Sequence, residues 1–460
     1  MKRVIIAGTH SGCGKTTVTC AVLAALKARG LRTAAFKCGP DYIDPMFHRE
    51  VIGVPSHNLD SFFCDDDTLN YLLCEHAYNS DIAVIEGVMG FYDGADGRSS
   101  AYSLSQITNT PAVIVIDCRG MSDSIGAVMR GFLEYKRQNN IAGFIFNRLP
   151  ERLIPLANKL CDELGTLYLG CLPKTDITIE SRHLGLVTAA EIDDIKQKLS
   201  QLGELAEQHI PLDRLMKIQT PELPRFSAPT FPEKAADVPV IAVAKDRAFC
   251  FIYDENIELL EKLGCETAYF SPLSDSKLPD NANGLYLCGG YPELYAERLS
   301  ANAEMLAGIR GKIEGGLPTI AECGGSMYLH DTFENMNGDE YPGVGVIRGK
   351  CFKTAKLQRF GYVTLTAERD SMLCRAGEKI TAHEFHYFDS TDCGADMTAR
   401  KPDGREWECV HANSALYAGF PHLYFYSDIK IAGRFVSACI EHKEKNEQDN
   451  RNKTFRQSRV

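Results

Sequence analysis

Residues 4–17, VIIAGTHSGCGKTT, restrict the fold more than any other stretch, because an apolar run leads directly into a glycine-rich loop ending in Gly-Lys-Thr-Thr. Val4-Ile5-Ile6-Ala7 reads as a buried strand. Lys15 to Arg29 carries apolar residues at helical spacing, and Gly30 offers a C-cap. A strand, a glycine loop and a helix in that order bring backbone amides and a helix N-terminus to one point, which suits a phosphate. Gly8, Gly12 and Gly14 let the loop turn its amides inward, and Lys15 adds a positive charge. Nucleotide contacts are expected from Gly8, Thr9, Gly12, Gly14, Lys15, Thr16 and Thr17, with the Thr16 hydroxyl as a magnesium ligand. The spacing is a variant: five residues separate Gly8 from Gly14, where the usual phosphate loop has four before its Gly-Lys-[Ser/Thr] ending.

The rest of the first 200 residues repeats the alternation. Strands are expected at Thr33 to Lys37, Ile82 to Glu86, Ala112 to Asp117 and Ala142 to Phe146, separated by helical stretches, the pattern of an α/β parallel sheet with crossover helices. Polar residues at the ends of such strands face the ligand crevice. The proline-rich segment 211–239 reads as a linker between a first domain at 1–210 and a second at 240–440. The second domain restarts with Val240-Ile241-Ala242-Val243, a helix around Asp254 to Leu263 and a strand around Glu266 to Phe270. Residues 441–460, charged and polar, are expected to be a disordered tail.

Composition excludes several classes. Lys plus Arg is 50 against 61 Asp plus Glu, a formal charge of -11, so the electropositive surplus of a nucleic-acid binder is missing. No apolar run approaches the length of a membrane helix. Seventeen cysteines without any C-x-x-C pair, and without an export signal before Val4, predict reduced thiols and a soluble, cytoplasmic protein.

Two acidic segments stand beside the phosphate loop. Glu86 ends an apolar run in VIEGVMGFYDG, where its carboxylate could hold magnesium directly or through water, and Asp117 is a second candidate. KCGPDYIDP at 37–45 holds Lys37, Asp41, Tyr42 and Asp44 on a turn stiffened by Gly39 and two prolines. The loop spacing resembles the dethiobiotin-synthetase-like branch of phosphate-loop proteins, which activates carboxylates. KCGPDYIDP followed by EGVMGFYDG resembles the cobyrinic acid a,c-diamide synthase family, enzymes that amidate two side-chain carboxylates of a corrin precursor in cobalamin biosynthesis. That resemblance implies that Lys37, Asp41, Tyr42, Asp44, Glu86 and Asp93 lie around nucleotide, metal and substrate.

In the second half, LPTIAECGG at 317–325 puts Cys323 at the end of an apolar strand, before two glycines and a helix-like SMYLH, as in a nucleophile elbow. A helix N-terminus there favours the thiolate. Gly289 and Gly290, in LYLCGGYPEL, follow another strand and have amides suited to an oxyanion hole. This half resembles the class I glutamine amidotransferase domain of the cobyrinic and cobyric acid synthase subgroup, with a flavodoxin-like α/β fold, and the resemblance makes His422 in ALYAGFPHLYF the catalytic base. Ordinary members carry H-x-E, the glutamate orienting the imidazole; here His422 is followed by Leu423 and Tyr424, so that third member is missing. The subgroup usually reads H-L-H at this place. His383 and His386, in HEFHY, either touch substrate or pack.

The two halves complement each other, since a carboxylate must be activated before ammonia can displace an oxygen from it. The resemblance therefore implies an ATP- and glutamine-dependent amidation through an acyl phosphate. Its substrate is cobyrinic acid or, in related enzymes, hydrogenobyrinate or nickel sirohydrochlorin. A phosphate-loop nucleotide switch is the alternative of a different class, and Cys323 with Gly289 and Gly290 argues against it. The expected cofactor is Mg2+ with ATP as co-substrate, and the expected partners are the corrinoid tetrapyrrole, ATP and L-glutamine, with no nucleic acid and no membrane. Association into a homodimer is left open.

Overall fold

The computed structural model describes residues 1–94, 97–175, 177, 189–235 and 237–457, and for 189–193 and 449–457 the backbone alone. Contacts divide the chain into two units, Met1–Pro229 and Thr230–Val460. Among the described residues no helix is long and apolar enough to cross a membrane, and none of the seventeen cysteines is in a disulfide.

The first unit runs β1 (Arg3–Gly8), α1 (Lys15–Ala28), β2 (Thr33–Cys38), α2 (Ile43–Phe47), β3 (Ser56–Leu59), α3 (Asp66–Ala77), β4 (Ile82–Gly90) and α4 (Ala101–Ile107). It continues with β5 (Ala112–Asp117), α5 (Ser124–Tyr135), β6 (Ile141–Asn147), α6 (Ile154–Glu163), β7 (Leu167–Leu172), α7 (Ala189–His209) and α8 (Leu212–Met216). The strands form one parallel sheet in the order β3-β2-β4-β1-β5-β6-β7. β1 is buried throughout, and its near-continuous apolar sequence is what a strand covered by helices on both faces requires. Val18, Val22 and Leu26 of α1 share a core cluster with Leu199, Leu202 and Ala206 of α7. β3 and β7 are absent from the sequence reading. β3, SHNL, is a polar edge strand of four residues, and β7 is interrupted by Gly170, so neither carries a clear apolar signal.

The linker expectation needs correction. Leu212 and Leu215 of α8 are buried in the first unit's core cluster. Beyond α8 the chain is laid along that unit without regular structure, held where Arg3 donates to the Pro221 carbonyl (2.8 Å) and the Ser227 amide donates to Asp67 (3.2 Å). From Thr230 on it belongs to the second unit: Lys262 Nζ lies over the Phe231 ring at 5.1 Å. Prolines mark an extended strap here and not a free tether. The tail expectation fails as well, because a helix, α13 below, continues from Ile429 to Gln457. Its last part has no Pro or Gly and is rich in Glu, Lys and Gln, which extend a helix nucleated on a buried first half even without a core of their own. Residues 458–460 lie outside the described residues.

The second unit runs β8 (Val240–Ala244), β9 (Phe249–Phe251), α9 (Asp254–Lys262), β10 (Glu266–Phe270), β11 (Gly284–Leu287), β12 (Gly289–Gly290), α10 (Ala296–Ala301), α11 (Ala303–Glu314), β13 (Thr319–Glu322) and α12 (Gly324–Tyr328). After these come β14 (His330–Glu334), β15 (Glu340–Pro342), β16 (Ile347–Ala367), β17 (Lys379–Ser390), β18 (Met397–Arg400), β19 (Glu406–Cys409), β20 (His411–Ala412), β21 (Leu416–Gly419), β22 (His422–Leu423) and α13 (Ile429–Gln457). The first sheet, β10-β8-β11-β13-β21-β20, is parallel except for its last pair. A second sheet, β15-β14-β16-β17-β22 with β18 and β19 attached, is mostly antiparallel. β22 ties His422 to this second sheet, while Cys323 follows β13 of the first.

Candidate functional site

The phosphate loop lies between β1 and α1 as its sequence requires. Gly14, at φ 94°, precedes the helix, and a Cβ there would run into the Asn147 amide. Asn147, the last residue of β6, donates from Nδ2 to the Cys13 carbonyl (2.9 Å). The loop is thus clamped from a strand two places away, by a residue that the sequence marks only as a polar strand end. Thr9 lies within it, its amide bonded to the Val115 carbonyl (3.1 Å). Thr17 follows Thr16 in α1.

Glu86 is the centre of this site. It is fully buried, and its Oε1 accepts a hydrogen bond from Thr16 Oγ1 (2.6 Å). Lys15 Nζ is 3.5 Å from the same oxygen and Lys37 Nζ 3.1 Å. His48 Nε2 stands 3.3 Å from Oε2, with Nδ1 held at Ser56 Oγ (3.1 Å). Sequence reasoning misses His48 because it belongs to a single π-turn, His48–Ile52, with no periodic signal.

Register explains the meeting: β4 pairs on one side with β1, Ile6 opposite Glu86, and on the other with β2, Lys37 opposite Glu86. Burial raises the Glu86 pKa, but Lys37, His48 and Lys15 outweigh it and hold the group well below the usual carboxylate range. Burial opposes the charge on Lys37, yet Asp44 and Glu86 raise it well above an ordinary amine. Asp44, which ion-pairs with Lys37, is pushed up to about 8 by burial and then by the Glu86 charge.

The acids of the KCGPDYIDP turn separate. Asp44 is buried, whereas the Asp41 side chain is 35% exposed and 3.8 Å from Lys37, its Oδ1 accepting from the Ile43 amide (2.8 Å). Tyr42 is the N-cap residue of α2. Asp93 is exposed and accepts from the Gly90 amide (3.0 Å) in a tight turn. Asp117 already faces two guanidinium groups, Arg119 and Arg148, each at 2.8 Å. That matched charge argues against Asp117 as a metal ligand. Glu86 likewise already faces Lys15, Lys37 and His48, but Thr16 and Glu86 are both hard oxygen donors of the kind magnesium takes and stand 2.6 Å apart at the end of the phosphate loop.

The second site is built from backbone. Cys323 sits between β13 and α12 at φ 46°, ψ −104°, a strained conformation costing about 1–3 kcal/mol. Its amide donates to the Gly419 carbonyl (2.7 Å), so the elbow is pinned to β21, three residues before His422. A Cβ on Gly289 would strike the His422 ring, and a Cβ on Gly324 would come within 3.0 Å of the Gly290 amide nitrogen. Cys323, His422, Gly289 and Gly290 therefore converge. Burial, then the Glu293 carboxylate, pushes the Cys323 thiol above its ordinary value, so it needs a base to ionise.

His422 Nδ1 lies 3.7 Å from Oε2 of Glu322, the residue just before the cysteine. His386 and His383 both pack. His386 bridges Glu384 (2.9 Å) and the Phe388 carbonyl (2.6 Å) and stacks on Phe420. His383 is buried opposite His422 in the β17–β22 register.

Comparison with known proteins agrees with this division. Residues 4–187 match the CobQ/CobB/MinD/ParA nucleotide binding domain, and residues 240–429 match the CobB/CobQ-like glutamine amidotransferase domain. A cobyrinate a,c-diamide synthase from Thermoplasma volcanium is 39% identical over 97% of this chain and 99% of its own length. Proteins of the same name from Caldanaerobacter subterraneus and Listeria monocytogenes are 37% and 38% identical, each over 95% of this chain and 98% and 99% of theirs. With both domain matches in order and whole-length relatives at this identity, the chain belongs to the cobyrinate a,c-diamide synthase family.

Proposed function

We propose that the protein amidates the a and c side-chain carboxylates of cobyrinic acid, drawing on ATP and glutamine. The observation that carries this reading is the presence in one chain of two built sites: Lys15 and Thr16 gathered on Glu86, and Cys323 strained beside His422 and Gly289. The names of the relatives supply the substrate.

In the first site the carboxylate oxygen attacks the γ-phosphorus of ATP, forming an acyl phosphate and releasing ADP, while Lys15 and the loop amides offset the charge on the transferring group. Magnesium held by Thr16 and Glu86 would neutralise phosphate charge there. In the second site the Cys323 thiolate adds to the glutamine carboxamide, and the Gly289 and Gly290 amides stabilise the resulting oxyanion. His422 gives its proton to the departing ammonia, and water then hydrolyses the thioester to glutamate. Ammonia adds to the acyl phosphate and inorganic phosphate leaves. Of the acids on the KCGPDYIDP turn, half-exposed Asp41 is the one able to meet substrate, with Tyr42 beside it and Asp93 beyond the end of β4, whereas buried Asp44 holds Lys37 in place.

The test is incubation with ATP, magnesium and amide-15N glutamine, offering cobyrinate, hydrogenobyrinate and nickel sirohydrochlorin separately and following products by mass spectrometry. Cobyrinate should gain two labelled amides with stoichiometric ADP. Because the chain has one phosphate loop and one elbow, a monoamide should rise and fall before the diamide. Absence of labelled amide on every tetrapyrrole, or amidation without ATP cleavage, overturns the reading.

A further inference from the structure

We propose that Glu322, the residue immediately preceding the nucleophile, replaces the missing H-x-E glutamate and orients His422. This is a positioning role, and it rests on Cys323 and His422 forming the glutamine-hydrolysing pair. At the usual place of that glutamate stands Tyr424, buried with its ring edge-on to Tyr253 (5.0 Å). A phenol is neutral at pH 7 and does not balance an imidazolium.

Glu322 is 1% exposed and held for the task by donors. The Leu423 amide donates to Oε1 (3.0 Å), and the Tyr286 hydroxyl donates to Oε2 (3.2 Å), the oxygen that faces His422 Nδ1 at 3.7 Å. Asn256 completes the frame: its Nδ2 donates to Tyr286 Oη (3.2 Å) and to the Leu423 carbonyl (2.8 Å), and its Oδ1 accepts from the Phe425 amide (2.8 Å). The strand carrying His422 is thus fastened through Leu423 to the carboxylate that faces its ring.

With Nδ1 facing Glu322, the pairing with the thiol that the proposed function requires falls to Nε2. The 3.7 Å separation is that of an ion pair and not of a hydrogen bond. Such contacts shorten when the imidazolium forms in the substrate complex. A carboxylate there holds the tautomer with hydrogen on Nδ1 and stabilises the positive ring that ammonia release requires. His383, opposite His422 in the sheet, cannot substitute: burial and His422 itself lower its pKa to about 3, so it stays neutral.

The experiment is Glu322→Gln in the full chain. Glutamine keeps the volume and can still accept from Leu423, but loses the charge. Glutaminase kcat should fall about 100-fold or more with KM little changed, as for orienting carboxylates elsewhere. Ammonium-driven amidation should persist and report that the protein is folded.

The readout that a packing role would not move is the pH midpoint for iodoacetamide alkylation of Cys323, followed by peptide mass spectrometry. The ionisable groups around the pair are Glu293, Glu322, Glu384, His383 and Tyr286. Removing the charge at Nδ1 relieves a direct repulsion of the thiolate but also takes away the partner of the imidazolium. If Glu322 orients His422 the second effect wins and the midpoint rises, by about one unit, whereas a falling midpoint overturns the proposal. Glutaminase within threefold of wild type and an unchanged midpoint overturn the proposal. Should the variant not fold, 15N-histidine NMR of the wild-type protein decides instead: His422 must carry its hydrogen on Nδ1, and a bare Nδ1 overturns the assignment. Alkylation and NMR need no turnover, so an inactive wild-type protein would count against the function proposed above and leave this test intact.

Discussion

The two sites differ in what they are made of. Around Glu86 the protein gathers charge, with Lys15, Lys37 and His48 within 3.5 Å of one carboxylate. Around Cys323 it gathers backbone, an elbow at positive φ and a pair of glycine amides, with the Glu322 carboxylate behind the imidazole and Glu293 and Glu384 near the thiol. On the function proposed above, the difference follows the substrates. A nucleotide and a carboxylic acid arrive charged, so the site must offer opposite charge in advance. A carboxamide arrives neutral, so the second site must create its own thiolate and oxyanion in a buried place, and fixed dipoles do that without long-range attraction of other anions.

The largest expected effects would break or confirm this division outright. Cys323→Ser should lower glutamine-driven amidation by about 1000-fold or more while leaving ammonium-driven amidation within about twofold. Lys15→Ala should do the reverse, abolishing amidation from either nitrogen source and sparing basal glutaminase. Parallel assays of the two variants suffice, and a loss of both activities in either well-folded protein would mean that the sites are not chemically separate.

Next in size is Glu86→Gln. It leaves Lys37 and His48 without their shared carboxylate, and removing one partner of a buried ion cluster costs about 3–5 kcal/mol. Calorimetry should show the Met1–Pro229 unit melting earlier, with amidation lost for both nitrogen sources. An unchanged melting temperature would show that the cluster contributes no stability. Smaller again is Gly289→Ala, whose methyl group would push on the His422 ring. Glutaminase should drop about tenfold, by displacement of a base and not by loss of one, and ammonium-driven amidation should be untouched.

The last effect, absent at neutral pH, concerns His383. Its folded pKa is lowered to about 3, while an unfolded histidine titrates near 6.5. Between these values the unfolded chain binds a proton that the folded chain does not. The stability contributed by the neutral ring is therefore complete above about pH 6.5 and is lost as pH falls toward 3, at up to about 1.4 kcal/mol per pH unit. His383→Asn should flatten the acid limb of melting temperature against pH. A limb as steep as that of the wild type would remove the histidine from the account of acid sensitivity.

The charged site is the more legible in sequence. The loop from Gly8 to Thr17 and the acid that closes the apolar run Ile82 to Ile85 in the first half of β4 announce themselves, because loop, strand and helix are contiguous and the chemistry depends on residue type. What brings Lys37 to Glu86 is pairing between strands 49 positions apart, which no local pattern displays, and His48 enters from a turn without periodicity. In the second site Cys323 is legible from its flanking strand and glycines. Glu322 is not, although it is the adjacent residue: strand residues alternate between faces, and which face meets His422 depends on β21 and β22, about 100 residues later. The segment 211–229 and the end of α13 escape for another reason. Composition separates polar from apolar segments but does not tell a packed strap or an extended helix from a free tether.

The position of Glu86 also bears on how the sheet assembles. β4 must pair with β1 and β2 at once, and Glu86 meets Lys37 only in the observed register. A slip of one residue would turn the carboxylate toward the opposite, apolar layer, where an uncompensated buried charge costs several kcal/mol. Parallel sheets of distant strands form slowly and pass through mispaired arrangements. A wrong alignment here is penalised by the same group that draws Lys15, Lys37 and Thr16 together, so a chain that has closed its central strands in register has, in the same event, assembled the charges around Glu86.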